Sequence, residues 1–246
     1  EIEFSDWSSD VCSSDLADMA DPSATSRWIA AYRKQGFVAL GMDCRSGKGV
    51  SNFAPAVREQ LLPALLEKRA AHGMTGAPIR LMVVGIPNVG KSSFINRMAQ
   101  SKRAKVEDRP GVTRTKQWVK IGSNMELLDM PGVLWPKFDD QTVAQKLAFT
   151  GAINDDVMDL EALACLLLQR LAVSYPKALE ERYRMTDLQA IQEDGFAMLE
   201  LLGRKRGMLI SGGKVNTERA AITLLDEFRS GKLGRITLEL PEQEAL

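Results

Sequence analysis

The sequence predicts an α/β domain followed by a mainly helical domain. An apolar run at residues 79–84 leads into Gly-Ile-Pro-Asn-Val-Gly-Lys-Ser-Ser at 85–93, which matches the phosphate-loop pattern GxxxxGK[ST]. From about residue 140 to residue 229, apolar residues recur at helical spacing instead. A strand, a glycine-rich turn and a helix in that order let backbone N–H groups converge on an anion.

Three elements are predicted ahead of the loop. A helix over residues 21–36 begins with Asp21 before a proline, and this pair favours helix initiation. A short apolar strand follows at 37–42, and a second helix runs from about 51 to 71 with apolar residues at three-to-four spacing. Pro63 lies inside that helix, so we expect a kink or a break there.

Downstream of the loop, the pattern predicts a helix at 91–99 and then a hairpin. Strands at 117–121 and 125–128 flank the turn Gly-Ser-Asn at 122–124. In the helical region that follows, capping and glycine signals predict helix starts at Asp159, Thr186 and Asn216, helix stops at Gly203 and Gly231, and a final strand at 235–240.

Composition describes an ordinary globular chain of 246 residues. Lys plus Arg equal Asp plus Glu at 32 each, so bulk charge argues neither for nor against nucleic acid. No apolar run approaches the roughly 18 residues of a membrane-spanning helix. The cysteines lack paired spacing and a histidine cluster, which predicts a reduced, cytosolic protein without a zinc site; they are Cys12, Cys44 and Cys165.

The first sixteen residues differ from the rest. Ser-Ser-Asp occurs at 8–10 and again at 13–15, without helix or strand periodicity. We expect residues 1–16 to be a non-native, disordered segment joined to a truncated gene. Finding these sixteen codons intact in the source genome would contradict this hypothesis.

The residue types in the loop suit a nucleoside triphosphate. Gly85 and Gly90 permit close backbone approach, and Lys91 is placed for the β- and γ-phosphates. The Ser92 hydroxyl is placed to coordinate Mg²⁺. The loop residues that we assign to nucleotide binding are Asn88, Val89, Gly90, Lys91, Ser92 and Ser93.

Two further motifs suit the γ-phosphate and its metal. Asp129 ends the second hairpin strand, where its carboxylate can hold the Mg²⁺ shell, and the Gly132 N–H can contact the γ-phosphate. Thr113 lies between these motifs and the phosphate loop, and its hydroxyl can join Mg²⁺ when the γ-phosphate is present. The pattern predicts a triphosphate-sensing switch in which Lys91, Thr113 and Gly132 serve the reaction.

One aspartate upstream of the loop has two interpretations. Asp18 precedes the first helix, and a carboxylate in such a loop can accept both hydrogen bonds from the edge of guanine. Adenine cannot offer that pair of donors. Taken alone, Asp18 also fits a solvated loop residue or a helix-flanking cap.

Five segments carry a family resemblance: GIPNVGKSS (85–93), RPGVTR (109–114), LLDMPGVLWPKF (127–138), KLAFTGAI (146–153) and the stretch 212–241. Together they resemble the YlqF-type GTPases, also called the ribosome biogenesis GTPase A family, over residues 17 to about 241. The resemblance implies a circularly permuted P-loop GTPase domain at 17–138. A helical RNA- or ribosome-binding domain would follow at 139–246.

In this family base recognition precedes the phosphate loop. The resemblance makes Asp18 the aspartate of an NKxD motif, although the Asn and Lys positions hold Asp15 and Leu16. A second base loop aligns with Asp43, Cys44 and Arg45, whose backbone can contact the guanine oxygen. The family has two further strands upstream, so we expect an exposed edge on the phosphate-loop strand and weak nucleotide binding by this chain.

The resemblance also implies GTP and GDP as ligands and slow intrinsic hydrolysis. Val133 stands where related enzymes carry a water-orienting glutamine, and valine cannot orient water. Catalysis then rests on Lys91 and on Mg²⁺ held through Ser92 and Thr113, with acceleration supplied by a partner. Asn88 resembles the position that lets related GTPases bind K⁺, and an asparagine that shapes the turn fits equally well.

The implied partner is the large ribosomal subunit during late assembly. The resemblance also implies a monomeric, cytoplasmic protein that binds neither membrane nor DNA. Basic clusters at 103–120 and at 204–206 with Lys214 could neutralise rRNA phosphates, or they could form a solvated face. Two other functions stay open: an RNA-binding module with an inert nucleotide site, and an ATP-using phosphate-loop enzyme.

Overall fold

The computed structural model describes residues 11–14, 17–72, 78–99, 117–121, 125–132, 134, 140–186 and 188–241. The chain divides into two compact units, Glu1–Leu134 with Glu239–Leu246 and Trp135–Leu238. The sequence predicts the domain boundary near residue 138, a few residues further along the chain. Within the described ranges, no helix is long and apolar enough to cross a lipid bilayer.

The first unit has the mixed α/β character that the apolar runs and glycine turns predict. A 3₁₀ turn at Val50–Asn52 and a π-helical turn at Val57–Leu61 flank the short second helix. The described elements are β1 (Val11–Ser14), α1 (Pro22–Lys34), β2 (Val38–Gly41), α2 (Phe53–Ala56), α3 (Leu62–Ala71), β3 (Ile79–Val83), α4 (Lys91–Ala99), β4 (Gln117–Ile121) and β5 (Met125–Asp129).

These strands form two sheets. β1 and β2 pair in parallel, and the second sheet has the order β3-β5-β4. β5 is parallel to β3 and antiparallel to β4, and Ile121 lies opposite Met125, which confirms the predicted hairpin. Among the described strands, β3 therefore has one neighbour and an open edge, as the resemblance led us to expect.

At residues 11–14, strand β1 corrects the expectation that the N-terminal segment is disordered. All four residues of Val11–Ser14 pair with Val38–Gly41 of β2. The backbone N–H and C=O groups of β2 need partners, so a neighbouring extended segment can join the ladder without any side-chain periodicity of its own. Residues 1–10, 15 and 16 lie outside the described ranges.

Two apolar side chains, one aromatic and one aliphatic, anchor helix α4 in the hydrophobic core of the first unit. Phe94 and Ile95 are buried, and the Phe94 ring meets Phe53 edge to face with 5.0 Å between centroids. Leu127 of β5 belongs to the same buried cluster. Each such burial contributes roughly 2 kcal/mol, so the helix that follows the phosphate loop is held firmly to the core.

Regular helix geometry is interrupted just before Pro63, close to the expected place. The chain widens into a π-helical turn at Val57–Leu61 and returns to α-helix at Leu62. Proline lacks an N–H group, and its ring crowds the preceding turn. A wider turn gives the ring room without ending the helix.

The second unit is helical, and α6 lies at its centre, packed against α5, α7, α8 and α9. Asp159 and Asn216 cap α6 and α9 as predicted, since their side chains accept hydrogen bonds from backbone N–H groups. The helices are α5 (Gln141–Phe149), α6 (Leu160–Ser174), α7 (Pro176–Tyr183), α8 (Gly195–Lys205) and α9 (Thr217–Arg229), with 3₁₀ turns at Asp155–Val157 and Leu188–Ala190.

Two predicted helix boundaries are wrong, and both errors concern α8. No described α-helix begins at Thr186: a 3₁₀ turn follows at Leu188–Ala190, and α8 begins behind the cap Asp194. Gly203 does not end the helix, which continues to Lys205. A Cβ atom at Gly203 would overlap Cγ1 of Val215, so this glycine permits close packing rather than termination.

Of the two predictions at the C-terminal end, the helix stop is confirmed and the strand is wrong. Gly231 follows the end of α9 with φ of +74°, as predicted. Residues 235–240 form no strand. The Tyr175 hydroxyl instead accepts from the Thr237 N–H and donates to its carbonyl oxygen, each at 3.1 Å, so a side chain takes both backbone groups of Thr237.

A buried carboxylate ties three helices of the second unit together. Glu227 of α9 accepts hydrogen bonds from Arg182, from Tyr183 and from Arg206 at the end of α8. The hydrogen bonds from Arg182 lower the pKa of Glu227 from 4.5 to about 2. Burial, and then the hydrogen bond to Glu227, raises the pKa of Tyr183.

This network predicts an acid-sensitive unit. The folded pKa of Glu227 lies below its unfolded value of 4.5, so its contribution is complete above that pH and is lost as pH falls toward 2. We expect the free energy of unfolding to fall by about 3 kcal/mol from this group alone. Urea unfolding followed by circular dichroism at several pH values measures the loss.

Glu227→Gln should remove this part of the pH dependence. Glu218→Gln is the matched control, because it makes the same charge change in the exposed first turn of the same helix. An equal pH dependence in the wild type and in Glu227→Gln would contradict the assignment.

Candidate nucleotide-binding site

The phosphate loop joins β3 to α4. Gly90, with φ of +91°, needs the conformational freedom of glycine, and Asn88 adopts a left-handed φ of +61° that asparagine tolerates. The Phe94 N–H donates to the Gly90 carbonyl oxygen at 2.9 Å, which starts the helix directly after the loop. The N–H groups of the first turn of α4 thus follow the loop as the sequence predicts.

Lys91 points back into its own loop. Its Nζ atom donates to the carbonyl oxygens of Gly85 at 3.1 Å and Ile86 at 2.7 Å. The loop therefore curls around an ammonium group. A fixed positive charge at a helix N-terminus is an arrangement that favours an anion.

The Asp129-xx-Gly132 segment reaches this loop. A Cβ atom at Gly132 would lie 2.7 Å from the Pro87 nitrogen and 3.0 Å from Nζ of Lys91, so only glycine fits this approach. Asp129 is the last residue of β5 and lies opposite Val83 of β3, and its Oδ1 atom is buried. The structure therefore brings Lys91 and Gly132 together at one end of two parallel strands.

The other predicted residues at this end differ in placement. Val89 and Ser92 are half-buried, whereas Asn88 and Ser93 are exposed. Thr113 and Val133 lie outside the described residues, so their roles stay predictions. The described residues contain no cluster of three or more His, Cys, Asp or Glu side chains suited to a metal ion. A metal here would need hydroxyl and phosphate ligands in addition to any single carboxylate such as that of Asp129.

Asp18 has a carboxylate oxygen that suits a ligand. Its Oδ1 atom is buried and has no hydrogen-bond partner in the described part of the chain. Its Oδ2 atom lies 3.6 Å from Nη1 of Arg45. A buried acceptor without a donor is costly, so this atom fits a group that donates N–H bonds from outside the protein.

Asp43 serves the loop itself rather than presenting a side chain to a ligand. Its carboxylate accepts from the N–H groups of Arg45 at 2.8 Å and Ser46 at 3.0 Å, and from the Ser46 hydroxyl. The bonds from Ser46 hold the pKa of the Asp43 carboxyl below its usual value. Cys44 is buried, so backbone groups remain the means by which these two residues can contact a base.

Two arginines lie at the site, and of these only Arg97 is not predicted from the sequence. Arg45 lies beside Asp18, and Arg97 of α4 donates through Nη2 to the Arg45 carbonyl oxygen at 3.1 Å. Arg45 belongs to the base loop that the family resemblance identifies. No local pattern marks Arg97, because its contact with Arg45 joins distant segments of the chain.

The sequence is similar to known GTPases over most of its length. A family model described as 50S ribosome-binding GTPase matches residues 80–192. Ribosome biogenesis GTPase A of Bacillus cereus is 42% identical over 227 residues, covering 92% of this chain and 75% of that protein. The protein of the same name from Thermotoga maritima is 28% identical over 225 residues, covering 92% and 74%.

Solved structures agree on the fold. GDP-bound TM YlqF superimposes with a TM-score of 0.60 at 24% identity, covering 95% of this chain and 84% of that one. GNP-bound YlqF from T. maritima gives a TM-score of 0.57 at 24% identity, covering 96% and 82%. With a phosphate loop, an approaching Asp-xx-Gly segment and relatives at 42% identity, the chain belongs to the ribosome biogenesis GTPase A family of GTP-hydrolysing enzymes.

Proposed function

We propose that this chain is a GTP-driven switch in the assembly of the large ribosomal subunit. The observation that carries the proposal is the contact of Gly132 with the phosphate loop at Pro87 and Lys91. A γ-phosphate at the loop would enter this contact and move the segment that follows β5. The names of the relatives support a role in ribosome biogenesis, and the family model supports the 50S subunit as the partner.

At the phosphate end, Lys91 would exchange its bonds to the loop carbonyls for bonds to the β- and γ-phosphates. The N–H groups of residues 88–93 would surround the phosphates, and the Gly132 N–H would contact the γ-phosphate. Ser92, Thr113 and Asp129 would hold Mg²⁺ directly or through its water shell. When bound, the metal neutralises charge that develops on the phosphate oxygens. The exposed Asn88 side chain could add an oxygen ligand for K⁺.

At the base end, Asp18 would accept the two N–H donors of guanine. Its buried Oδ1 supports this role, because that atom would gain a missing hydrogen bond. Backbone groups at Asp43 and Cys44 would contact the guanine oxygen. Adenine offers no such pair of donors to Asp18, so this end of the site distinguishes the proposal from an ATP-using enzyme.

Hydrolysis by the chain alone would be slow. Val133 offers no group to orient water, and the proposed catalytic set of Lys91, Thr113 and Gly132 stabilises charge without activating a nucleophile. The ribosomal particle would then supply the acceleration, in the cytoplasm where ribosomes assemble. A monomer is sufficient for this scheme.

The second unit supplies a surface for rRNA. Lys205 and Lys214 are exposed near the end of α8 and in the turn before α9. Arg206, predicted to belong to the same basic cluster, instead bonds to Glu227. Exposed lysines can neutralise backbone phosphates without reading sequence.

Lys91→Ala should weaken GDP and GTP binding by roughly 100-fold, because it removes the cation that the loop surrounds. Titration with a fluorescent guanine nucleotide measures the loss. Lys34→Ala at the exposed end of α1 is the matched control and should bind like the wild type. Equal affinities in both variants would contradict a phosphate role for the loop.

Asp18→Asn should weaken GDP binding roughly 100-fold and improve binding of xanthosine diphosphate. The asparagine amide donates a hydrogen bond that the xanthine oxygen accepts, whereas guanine presents an N–H there. Asp21→Asn makes the same change and still caps α1, so it should leave both affinities unchanged. A preference that does not move in Asp18→Asn would exclude this residue from base recognition.

Co-sedimentation with large ribosomal subunits tests the switch itself. Binding should be stronger with a non-hydrolysable GTP analogue than with GDP or without nucleotide. Binding that ignores the nucleotide would favour the alternative of an RNA-binding module with an inert site. Replacing Lys205 and Lys214 by Ala should weaken binding to the subunit and make that binding less sensitive to salt. Lys177→Ala on α7 should change neither property.

A further inference from the structure

The helix that begins at the phosphate loop also contacts the base loop, residues 43–48. Lys91 opens α4, and Arg97 lies two turns later on the same helix. Nη2 of Arg97 donates to the carbonyl oxygen of Arg45 at 3.1 Å. One helix therefore touches both parts of the proposed nucleotide site.

The guanidinium of Arg97 lies directly against Gly47. A Cβ atom at Gly47 would meet Nη2 at 2.5 Å, Cζ at 3.0 Å and Nε at 3.1 Å, which means that the planar group faces the glycine. Gly47 also has φ of +86°, a conformation that other residues rarely adopt. The contact thus depends on the absence of a side chain at this position.

The base loop is closed by its own hydrogen bonds. The Gly47 N–H donates to the Asp43 carbonyl oxygen at 2.8 Å, and the Asp43 N–H donates to the Lys48 carbonyl oxygen at 2.9 Å. The Asp43 carboxylate also accepts from the backbone of Arg45 and Ser46. A loop closed in this way moves as one piece, so an outside contact such as that of Arg97 can set its position.

We propose that Arg97 is a positioning residue for base recognition. By holding the Arg45 carbonyl and facing Gly47, it keeps the base loop beside Asp18, whose Oδ2 lies 3.6 Å from Arg45. The same helix carries Lys91, so the contact fixes the base pocket at a set distance from the phosphates. This inference rests on the proposed binding of guanine nucleotides.

The test compares three competitors of a fluorescent GDP analogue: GDP, inosine diphosphate and pyrophosphate. Inosine lacks the 2-amino donor to Asp18, and pyrophosphate lacks the base altogether. Arg97→Ala should weaken GDP binding about tenfold and reduce the preference for GDP over inosine diphosphate. The affinity for pyrophosphate should stay unchanged. Arg97→Lys should restore part of the preference, since lysine donates a hydrogen bond but has no planar face for Gly47.

Arg33→Ala is the matched control. Arg33 is also exposed and also donates through Nη2 to a backbone carbonyl, that of Ala39, at 3.1 Å. Its loss should leave the preference for GDP over inosine diphosphate unchanged. Gly47→Ala should reproduce Arg97→Ala from the other side of the contact.

The outcomes separate the two proposals. The role of Arg97 is overturned if Arg97→Ala weakens the binding of GDP and of pyrophosphate equally. It is also overturned if this variant keeps the wild-type preference for GDP over inosine diphosphate. A wild-type chain that binds GDP no better than pyrophosphate overturns the guanine site itself. Because Arg97 is exposed, its replacement removes little buried surface and should leave the fold intact. The test therefore stands even if Gly47→Ala does not fold.

Discussion

The parallel pairing of β3 with β5 is the constraint on which the site depends. Val83 and Asp129 are the last residues of these strands and lie opposite each other, so the two following loops leave the sheet at the same edge. That edge is where Gly132 meets Pro87 and Lys91. Neither the ammonium group nor the glycine would be near the other without this pairing, because they are distant in sequence. The chemistry proposed for the site is therefore a consequence of sheet topology.

Burial determines the register of that pair. Met125 and Leu127 of β5 are buried, whereas Glu126 between them forms an ion pair with Arg80. A slip of one residue would move the carboxylate toward the core and Leu127 toward solvent. Phe94 of α4 belongs to the same buried cluster as Leu127. The packing that selects the register thus also seats the helix whose first residue enters the loop.

Signals from neighbouring residues predicted the parts of the fold that local physics decides. The strand, turn and helix at the phosphate loop, the hairpin of β4 and β5, and the caps at Asp159 and Asn216 need only short-range information. The sequence predicts a helix stop at Gly203 because glycine commonly follows the end of a helix. The structure shows that this glycine instead allows close contact with Val215, which is a matter of tertiary packing. Arg97 was missed for the same reason, since it bonds to a carbonyl 52 residues away. The role of Thr113 rests on sequence alone, because it lies outside the described residues.

Charge clusters in sequence also differ from charge on the surface. Arg204, Lys205 and Arg206 are adjacent in the chain, but Arg206 bonds to Glu227 and lies 5.7 Å over the ring of Tyr183. Since Arg182 bonds to the same carboxylate, two cations share one anion and the group keeps a positive charge. That charge is anchored to the buried Glu227 carboxylate, whereas exposed lysine side chains are flexible and can adjust to an RNA backbone. In the proposed binding of rRNA, adaptable contacts should therefore come from the exposed lysines rather than from the arginines at Glu227.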